Sequence, residues 1–192
     1  MDMIDAYLKN VAGLISDTSR SDLMVVADIL VDAYKSDAQV FIMGNGGSAS
    51  TASHMACDLQ KTIGLHGNRK FRVMALTDSS PLMTAWANDF DYSDIFSRQL
   101  EAWVGPGDVV IAISGSGNSK NVLKAVDYAN KSGATSIGMS GFRGGQLVGI
   151  CHYNIVVPSN DMQHIEDLHM VFAHLLFRYI LDEMHLPEDL AA

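Results

Sequence analysis

The chain has few cysteines, few basic residues and no long apolar run, and each shortage excludes a class of protein. Its 192 residues include two cysteines, Cys57 and Cys151, without a CxxC pattern, so neither a disulfide framework nor a cysteine-based zinc site is indicated. We expect both to be small buried apolar side chains. The 13 Lys and Arg against 22 Asp and Glu give a formal net charge of −9. Without a basic stripe, nucleic acid and anionic membranes are excluded as main partners.

The sequence also lacks the patterns of targeting and membrane-spanning segments. The first ten residues, MDMIDAYLKN, carry acidic residues where a secretory signal has basic ones, and they lack a continuous apolar region. No segment approaches the roughly 20 apolar residues that span a bilayer. We therefore expect a cytoplasmic protein.

What the chain does have is a 48% apolar composition, arranged in short runs between helix-length stretches. Residues 1–36 have helical spacing with Ser19 or Ser21 as N-cap, and another long helical pattern runs from Asp161 to about Glu183. The runs between them with strand character are QVFIM (39–43), RVMALT (72–77), DVVIAIS (108–114), TSIGMS (135–140) and YNIVVP (153–158). Strands that alternate with helices predict a parallel sheet covered on both faces, and the chain length predicts one domain.

Two loops rich in glycine and serine follow predicted strands. The first loop, GNGGSAS at 44–50, follows FIM, and the second loop, SGSGNS at 114–119, follows VVIAI. Open α/β sheets bind ligands where strands end and helices begin, so we expect the two loops to share one crevice. Glycine admits a ligand close to the backbone, and hydroxyls and free N–H groups at a helix start donate to anions. The candidate phosphate-binding hydroxyls belong to Ser48, Ser114, Ser116 and Ser119.

Two other interpretations of these loops stay open at this point. The serines could do no more than cap the helices that follow them. In addition, Gly44, Gly46 and Ala49 satisfy the pattern G-x-G-x-x-G/A of dinucleotide-binding proteins, which would suit a nicotinamide-dependent oxidoreductase. That pattern also needs an acidic residue about 20 positions later, and residues 62–72 contain none. The serine content therefore favours a sugar phosphate over a dinucleotide.

Histidines and carboxylates on two predicted helices form the other candidate site. His54 and Asp58 lie four residues apart on the helix after the first loop, so they share one face. On the last helix, Glu166 and His174 lie a little over two turns apart, and His169 forms an E-x-x-H pair with Glu166. These groups could bind zinc or another divalent ion, or supply an acid and a base. A surface His–Asp hydrogen bond and a core histidine are the plainer alternatives, and periodicity does not decide among them.

Over long stretches the chain resembles the sugar isomerase (SIS) domain proteins, and within them the sedoheptulose 7-phosphate isomerases, also called phosphoheptose isomerases. The stretches that carry the resemblance are GNGGSxxxxxH (44–54), ANDFDYSDIFSRQLEA (87–102), GDVVIAISGSGNSKNVLKA (107–125), GMSGFRGGQL (138–147) and the closing IEDLHMVFAH. The resemblance implies an α/β fold, a flavodoxin-like three-layer αβα sandwich with a five-stranded parallel sheet. It implies a single SIS domain over residues 1–192, with the N-terminal helical segment 1–36 packed on it. It also implies a homotetramer with active sites between subunits.

The resemblance further implies an activity and a set of site residues. The activity is the aldose–ketose isomerisation of D-sedoheptulose 7-phosphate to D-glycero-D-manno-heptose 7-phosphate, for bacterial heptose synthesis toward lipopolysaccharide or capsule. Asp58 is implied as general base and His174 as its partner acid or base. One zinc ion per subunit is implied among His54, Asp58, Glu166 and His174. The implied substrate contacts are Asn45, Gly46, Gly47, Ser48, Asn88, Asp89, Ser114, Gly115, Ser116, Ser119 and Glu166.

Two positions depart from the family pattern. The usual base is a glutamate, whereas this chain has the shorter Asp58, and the usual glutamine beside the metal is here Glu166. A shorter reach and an extra carboxylate predict either tighter metal binding with a shifted substrate pose, or a related sugar phosphate as substrate. The alternative function is that of a non-catalytic SIS protein, which senses phosphosugars or accompanies a replication initiator. Such relatives tend to lose the histidine and carboxylate pattern, and this chain keeps a version of it.

Overall fold

The computed structural model of the chain describes residues 2–63 and 69–186. Numbered in chain order, its helices are α1 Met3–Asp17, α2 Arg20–Ser36, α3 Gly47–Asp58, α4 Ser80–Asp89, α5 Ser97–Leu100, α6 Lys120–Lys131, α7 Leu147–Ile150 and α8 Met162–Glu183. A π-helical turn, Leu59–Ile63, extends α3, and a 3-10 turn, Tyr92–Asp94, follows α4. The strands are β1 Val40–Gly44, β2 Val73–Ala75, β3 Val109–Ser114, β4 Thr135–Ser140 and β5 Tyr153–Val156.

In the described part of the chain, the strands form one five-stranded parallel sheet in the order β2-β1-β3-β4-β5. β1 pairs with both β2 and β3, in registers that set Val40 beside Val73 and beside Val109. This is the flavodoxin-like order, in which the ligand crevice opens at the carboxyl ends of β1 and β3. The first and second loops leave those two ends. The predicted fold class is therefore confirmed, and its topology points to the same loops as the sequence.

Side chains alternate along the strands and fill a core on each face of the sheet. On β1, Val40 and Ile42 face the core formed with α2, α3 and α8, whereas Phe41 and Met43 face the core formed with α5, α6 and α7. All four side chains are fully buried. Because both faces of the sheet are covered, the strand sequences are continuously apolar instead of alternating between apolar and polar residues.

The helices predicted at the two ends of the chain are present. Residues 1–36 contain two helices, and Ser19 caps the second by accepting a hydrogen bond from the backbone. Asp161 caps α8 in the same way. α2 and α8 share one core, and α1 is joined to α8 where the Tyr7 hydroxyl donates to Asp167 at 2.5 Å. Within residues 2–63 and 69–186, no helix combines the length and the apolar character that crossing a bilayer requires.

The two cysteines differ in burial. Cys151 is buried as expected, but the expectation for Cys57 is wrong, because that side chain is exposed on α3. The buried stripe of α3 ends at Met55 and Ala56, and the next position is rotated by about 100° around the helix. Both thiols are free.

Candidate active site

Three polar side chains from α3 and α8 converge in one group. His54 Nε2 lies 2.9 Å from His174 Nε2 and 3.2 Å from Asp58 Oδ2. His174 Nε2 lies 3.8 Å from the same carboxylate oxygen. One potential ligand atom of each residue lies within 4.8 Å of the other two, so the group could hold a metal ion. The structure thus brings together three of the four residues predicted to bind metal.

The packing of α3 beside α8 places this group. Both helices bury apolar stripes in the same core, which contains Met55 of α3 and Phe172 of α8. His54 and His174 lie at the edges of those stripes and are exposed, whereas Asp58 is half-buried. The His54–Asp58 pair is therefore more than a hydrogen bond within one helix, because a histidine 120 positions later in the chain joins it.

The fourth predicted ligand, Glu166, lies at a different place. Its carboxylate packs against the backbone of Gly47, so a Cβ on the glycine would force the Glu166 side chain to move. Gly47 is the first residue of α3, and free N–H groups and the helix dipole attract an anion there. Glu166 is therefore placed beside the first loop and outside the group formed by the two histidines and Asp58.

His169, the alternative histidine, is turned into the core. Its Nε2 lies 3.2 Å from the carbonyl oxygen of Ser140, so this nitrogen carries the proton and donates. Its buried Nδ1 has no hydrogen-bond partner among the described residues. Burial lowers the pKa of His169 from 6.5 to about 4, and the hydrogen bond to Ser140 opposes that shift. His169 is therefore a neutral core histidine near pH 7.

The serine hydroxyls do not cap the helices that follow the loops. Ser119 precedes α6, but its Oγ lies 3.0 Å from Ser114 Oγ and makes no capping hydrogen bond with the described backbone. At the first loop, Gly46 occupies the N-cap of α3 and Ser48 lies inside the first turn. Ser116 Oγ accepts from a backbone N–H within its own loop at 3.2 Å. The capping interpretation therefore does not account for these hydroxyls.

A segment after β4, residues 141–146, supports the second loop from one side. The N–H of Gly141 donates to the carbonyl oxygen of Gly115 at 2.9 Å. Gly145 has a φ of +58°, and a Cβ at that position would lie 2.5 Å from the carbonyl oxygen of Ser116. This segment belongs to the GMSGFRGGQL stretch that carried the family resemblance. Its structural role is to fix the backbone of the second loop.

The first two turns of α8 cover both loops. Met162 Sδ lies 2.5 Å from the position of a Cβ on Gly115 in the second loop, and Glu166 packs on Gly47 beside the first loop. The same helix carries His174 two turns later. Side chains of α8 thus contact both loops and also contribute to the group of two histidines and an aspartate.

Asn45 joins the first loop to two other segments. Its Nδ2 donates to Asn121 Oδ1 at 2.9 Å, and its Oδ1 accepts from Asn121 Nδ2 at 2.8 Å and from the Tyr92 hydroxyl at 3.0 Å. Tyr92 follows the end of α4, where Asn88 donates to Asp89 at 2.9 Å. Sequence reasoning missed Asn121 and Tyr92 because contacts over 76 and 47 positions leave no periodic signal. The one signal available was that both lie in stretches that carry the resemblance.

Known proteins resemble this chain in sequence and in fold. The SIS domain family model matches residues 6–141. A phosphoheptose isomerase of Aliarcobacter butzleri is 36% identical over 179 residues, which are 93% of this chain and 94% of that protein. One of Aquifex aeolicus is 40% identical over 159 residues, 83% of this chain and 82% of that protein. The structure of a phosphoheptose isomerase from Neisseria gonorrhoeae matches with a TM-score of 0.86 at 26% identity, covering 93% of this chain and 97% of that one.

Proposed function

Because the chain belongs to the SIS domain family, and to the phosphoheptose isomerases within it, we propose that it isomerises D-sedoheptulose 7-phosphate to D-glycero-D-manno-heptose 7-phosphate. The observation that carries this proposal is that α8 contacts both loops and also carries His174 of the histidine and aspartate group. The first turns of α8 contact the loops that are suited to a phosphate, and a later turn of α8 carries His174, which lies beside Asp58. A sugar held by its phosphate at the loops can extend its carbonyl end toward the carboxylate. The product would supply heptose for bacterial lipopolysaccharide or capsule.

The reaction needs a base that moves one proton between neighbouring carbons. Transfer of a carbonyl from C2 to C1 requires removal of a proton beside the carbonyl, passage through an enediol, and return of the proton to the other carbon. In the proposed mechanism, the Asp58 carboxylate removes and returns that proton. The imidazole of His174, with Nε2 3.8 Å from Asp58 Oδ2, moves a proton at the sugar oxygen. Phosphate binding at the second loop fixes the far end of the sugar, which keeps the reacting carbons in place.

A zinc ion fits the residues that the fold brings together. Four-coordinate zinc with bonds of about 2.0–2.1 Å to nitrogen and oxygen sets its ligand atoms about 3.3 Å apart. The separations among His54, Asp58 and His174, 2.9, 3.2 and 3.8 Å, bracket that value. In our proposal Asp58 Oδ2 and Nε2 of the two histidines hold the ion, which leaves the second carboxylate oxygen of Asp58 and Nδ1 of His174 as the atoms that move protons. Glu166 is a substrate contact near the first loop. When bound, zinc supplies stabilisation of negative charge on the sugar oxygen.

We also propose that the protein assembles as a homotetramer with active sites between subunits, as the family resemblance implies. Surface composition supports an assembly. None of the described side chains of α1 is buried, and three of them are large and apolar: Met3 is 76% exposed, Ile4 63% and Leu8 63%. Apolar side chains exposed together on one helix are typical of a surface that another chain covers. The histidines of the site are also on the surface of the isolated chain.

Turnover and metal content test the proposed function together. The wild-type protein should convert sedoheptulose 7-phosphate to aldoheptose phosphate and contain close to one zinc ion per chain. His54→Ala should lose most of both, whereas His185→Asn, which removes an exposed imidazole outside the site, should keep both. Absence of turnover with and without added zinc would contradict the isomerase. Binding of the sugar phosphate without turnover would favour the phosphosugar-sensing alternative, and unchanged metal content in His54→Ala would contradict the ligand set.

A further inference from the structure

The side-chain amide of Asn45 is the junction of three segments that surround the proposed site. It lies in the first loop, bonds Asn121 at the start of α6, and bonds Tyr92 after α4. We propose that Asn121 and Tyr92 are positioning residues for the isomerisation, which hold the first loop at a fixed spacing from the second. The proposal rests on the proposed function, because it assigns these two residues a role in that reaction.

Asn121 fixes the orientation of Asn45. The Asn121 side chain is 2% exposed, and its Oδ1 accepts from the N–H of Val122 at 3.0 Å as well as from Asn45 Nδ2. Rotation of the Asn121 amide would bring its NH₂ group against the Val122 N–H, so only one orientation satisfies its hydrogen bonds. That orientation aims Asn121 Nδ2 at Asn45 Oδ1, 2.8 Å away. The reciprocal pair therefore has one stable arrangement, set by the start of α6.

Tyr92 adds a tether from a third segment. Its hydroxyl donates to Asn45 Oδ1 at 3.0 Å, although the side chain as a whole is 58% exposed. Removing only the hydroxyl would therefore leave no cavity in the core. Tyr92 lies three residues after Asp89, at the end of α4, where the resemblance places further substrate contacts. The tether thus links the predicted contacts at Asn88 and Asp89 to the first loop.

The position of the first loop matters because α3 begins within it, at Gly47. Gly46 takes a φ of +55° and serves as the N-cap of α3 without a side-chain cap. Directly before it, the Asn45 side chain supplies the hydrogen bonds that join this part of the loop to Asn121 and Tyr92. α3 carries His54 and Asp58. A shift of this loop would therefore displace the base relative to a sugar whose phosphate is held at the second loop. A misplacement of about 1 Å can cost 100-fold in rate.

The hydroxyl of Tyr92 allows a test with little structural disturbance. Tyr92→Phe should lower kcat by about two- to tenfold, the range expected from the loss of one hydrogen bond, and leave the KM within about twofold. The matched control is Tyr179→Phe, which removes a hydroxyl that donates to Asp28 at 3.0 Å on another part of the surface. The control should keep the wild-type kcat. In an Asn45→Ala background, Tyr92→Phe should have no further effect, because Tyr92 acts through Asn45.

A second measurement does not need turnover. Amide hydrogen exchange of residues 45–48 should be faster in Tyr92→Phe and in Asn121→Ser than in the wild type, and unchanged in Tyr179→Phe. If the wild type fails to isomerise the sugar, the proposed function fails, and exchange still reports on the tether. Unchanged exchange overturns the proposal. Faster exchange with unchanged kcat in an active enzyme overturns it too, as does an effect of Tyr92→Phe that persists in Asn45→Ala.

Discussion

Replacement of Gly145 by alanine tests whether the segment after β4 fixes the second loop. Gly145 has a φ of +58°, where an L side chain costs about 1–2 kcal/mol. A Cβ there would lie 2.5 Å from the carbonyl oxygen of Ser116 and 2.7 Å from the carbonyl group of Gly117. A close carbon–oxygen contact is about 3.3 Å, so the overlap with Ser116 is about 0.8 Å. Since both obstacles are backbone, the loop itself must move.

The expected loss of stability in Gly145→Ala has two contributions, the backbone strain and the steric overlap. Overpacking of a tight site costs about 1–3 kcal/mol, and together with the backbone strain this gives a loss of about 2–5 kcal/mol in the free energy of unfolding. For a chain of this size, that corresponds to a fall in Tm of about 4–20 °C. A displacement of Ser116 by nearly 1 Å should weaken phosphate binding and lower kcat/KM by up to about 100-fold.

Thermal unfolding by circular dichroism and calorimetric titration with inorganic phosphate measure the two effects of Gly145→Ala. The control is Gly149→Ala in α7, where a Cβ would meet no described atom within 4 Å, and it should behave as the wild type does. If Gly145→Ala has the wild-type Tm and phosphate affinity, the segment does not fix the loop. A lower Tm with unchanged phosphate affinity would show that the support matters for folding and not for anion binding.

Two further predictions concern ionisable side chains of α8. The pKa of His169 in the folded protein, about 4, lies below its ordinary value of 6.5. The stability that His169 contributes is therefore complete above pH 6.5 and falls as the pH drops toward 4. By linkage, the folded protein loses about 3 kcal/mol over this range. The free energy of unfolding in urea should therefore change less between pH 7 and pH 4.5 for His169→Gln than for the wild type. An equal change in both proteins would refute the assignment of this pH dependence to His169. Glu166→Gln should keep the metal content, because Glu166 lies outside the His54, Asp58 and His174 group, and should lower the KM for the sugar phosphate at low salt by removing an anion beside the first loop. Loss of metal in Glu166→Gln would place that carboxylate in the ligand set.

The sheet and its loops were predictable because their signals are local. A buried parallel strand such as 109–114 is continuously apolar, and a glycine and serine loop ends it, so both the strand and the loop show in a few neighbouring residues. The parallel order then places the carboxyl ends of β1 and β3 together without further information. Ser19 was likewise recognisable as an N-cap from its own neighbourhood.

The choice among residues of α8 was not predictable from local sequence. Positions 169 and 174 are separated by about 140° around a helix, so one of the two histidines had to face away when the other faced α3. The position of the core determines which of the two histidines is buried, and that position is set by the packing of α8 against the sheet and α2. Glu166 and the Asn45–Asn121 pair depend similarly on distant packing, since Gly47 and Asn121 come from other segments of the chain.

The two departures from the family pattern act at different places in the site. Asp58, although shorter than a glutamate, still lies 3.2 Å from His54 Nε2, so the group that would hold the metal and move the proton is retained. Glu166 instead adds a carboxylate at the start of α3, next to the loop that would contact the sugar. A carboxylate accepts hydrogen bonds from sugar hydroxyls but cannot donate, whereas a glutamine does both. We therefore expect the proton transfer to depend on Asp58, and the preference for one sugar phosphate over another to depend on Glu166.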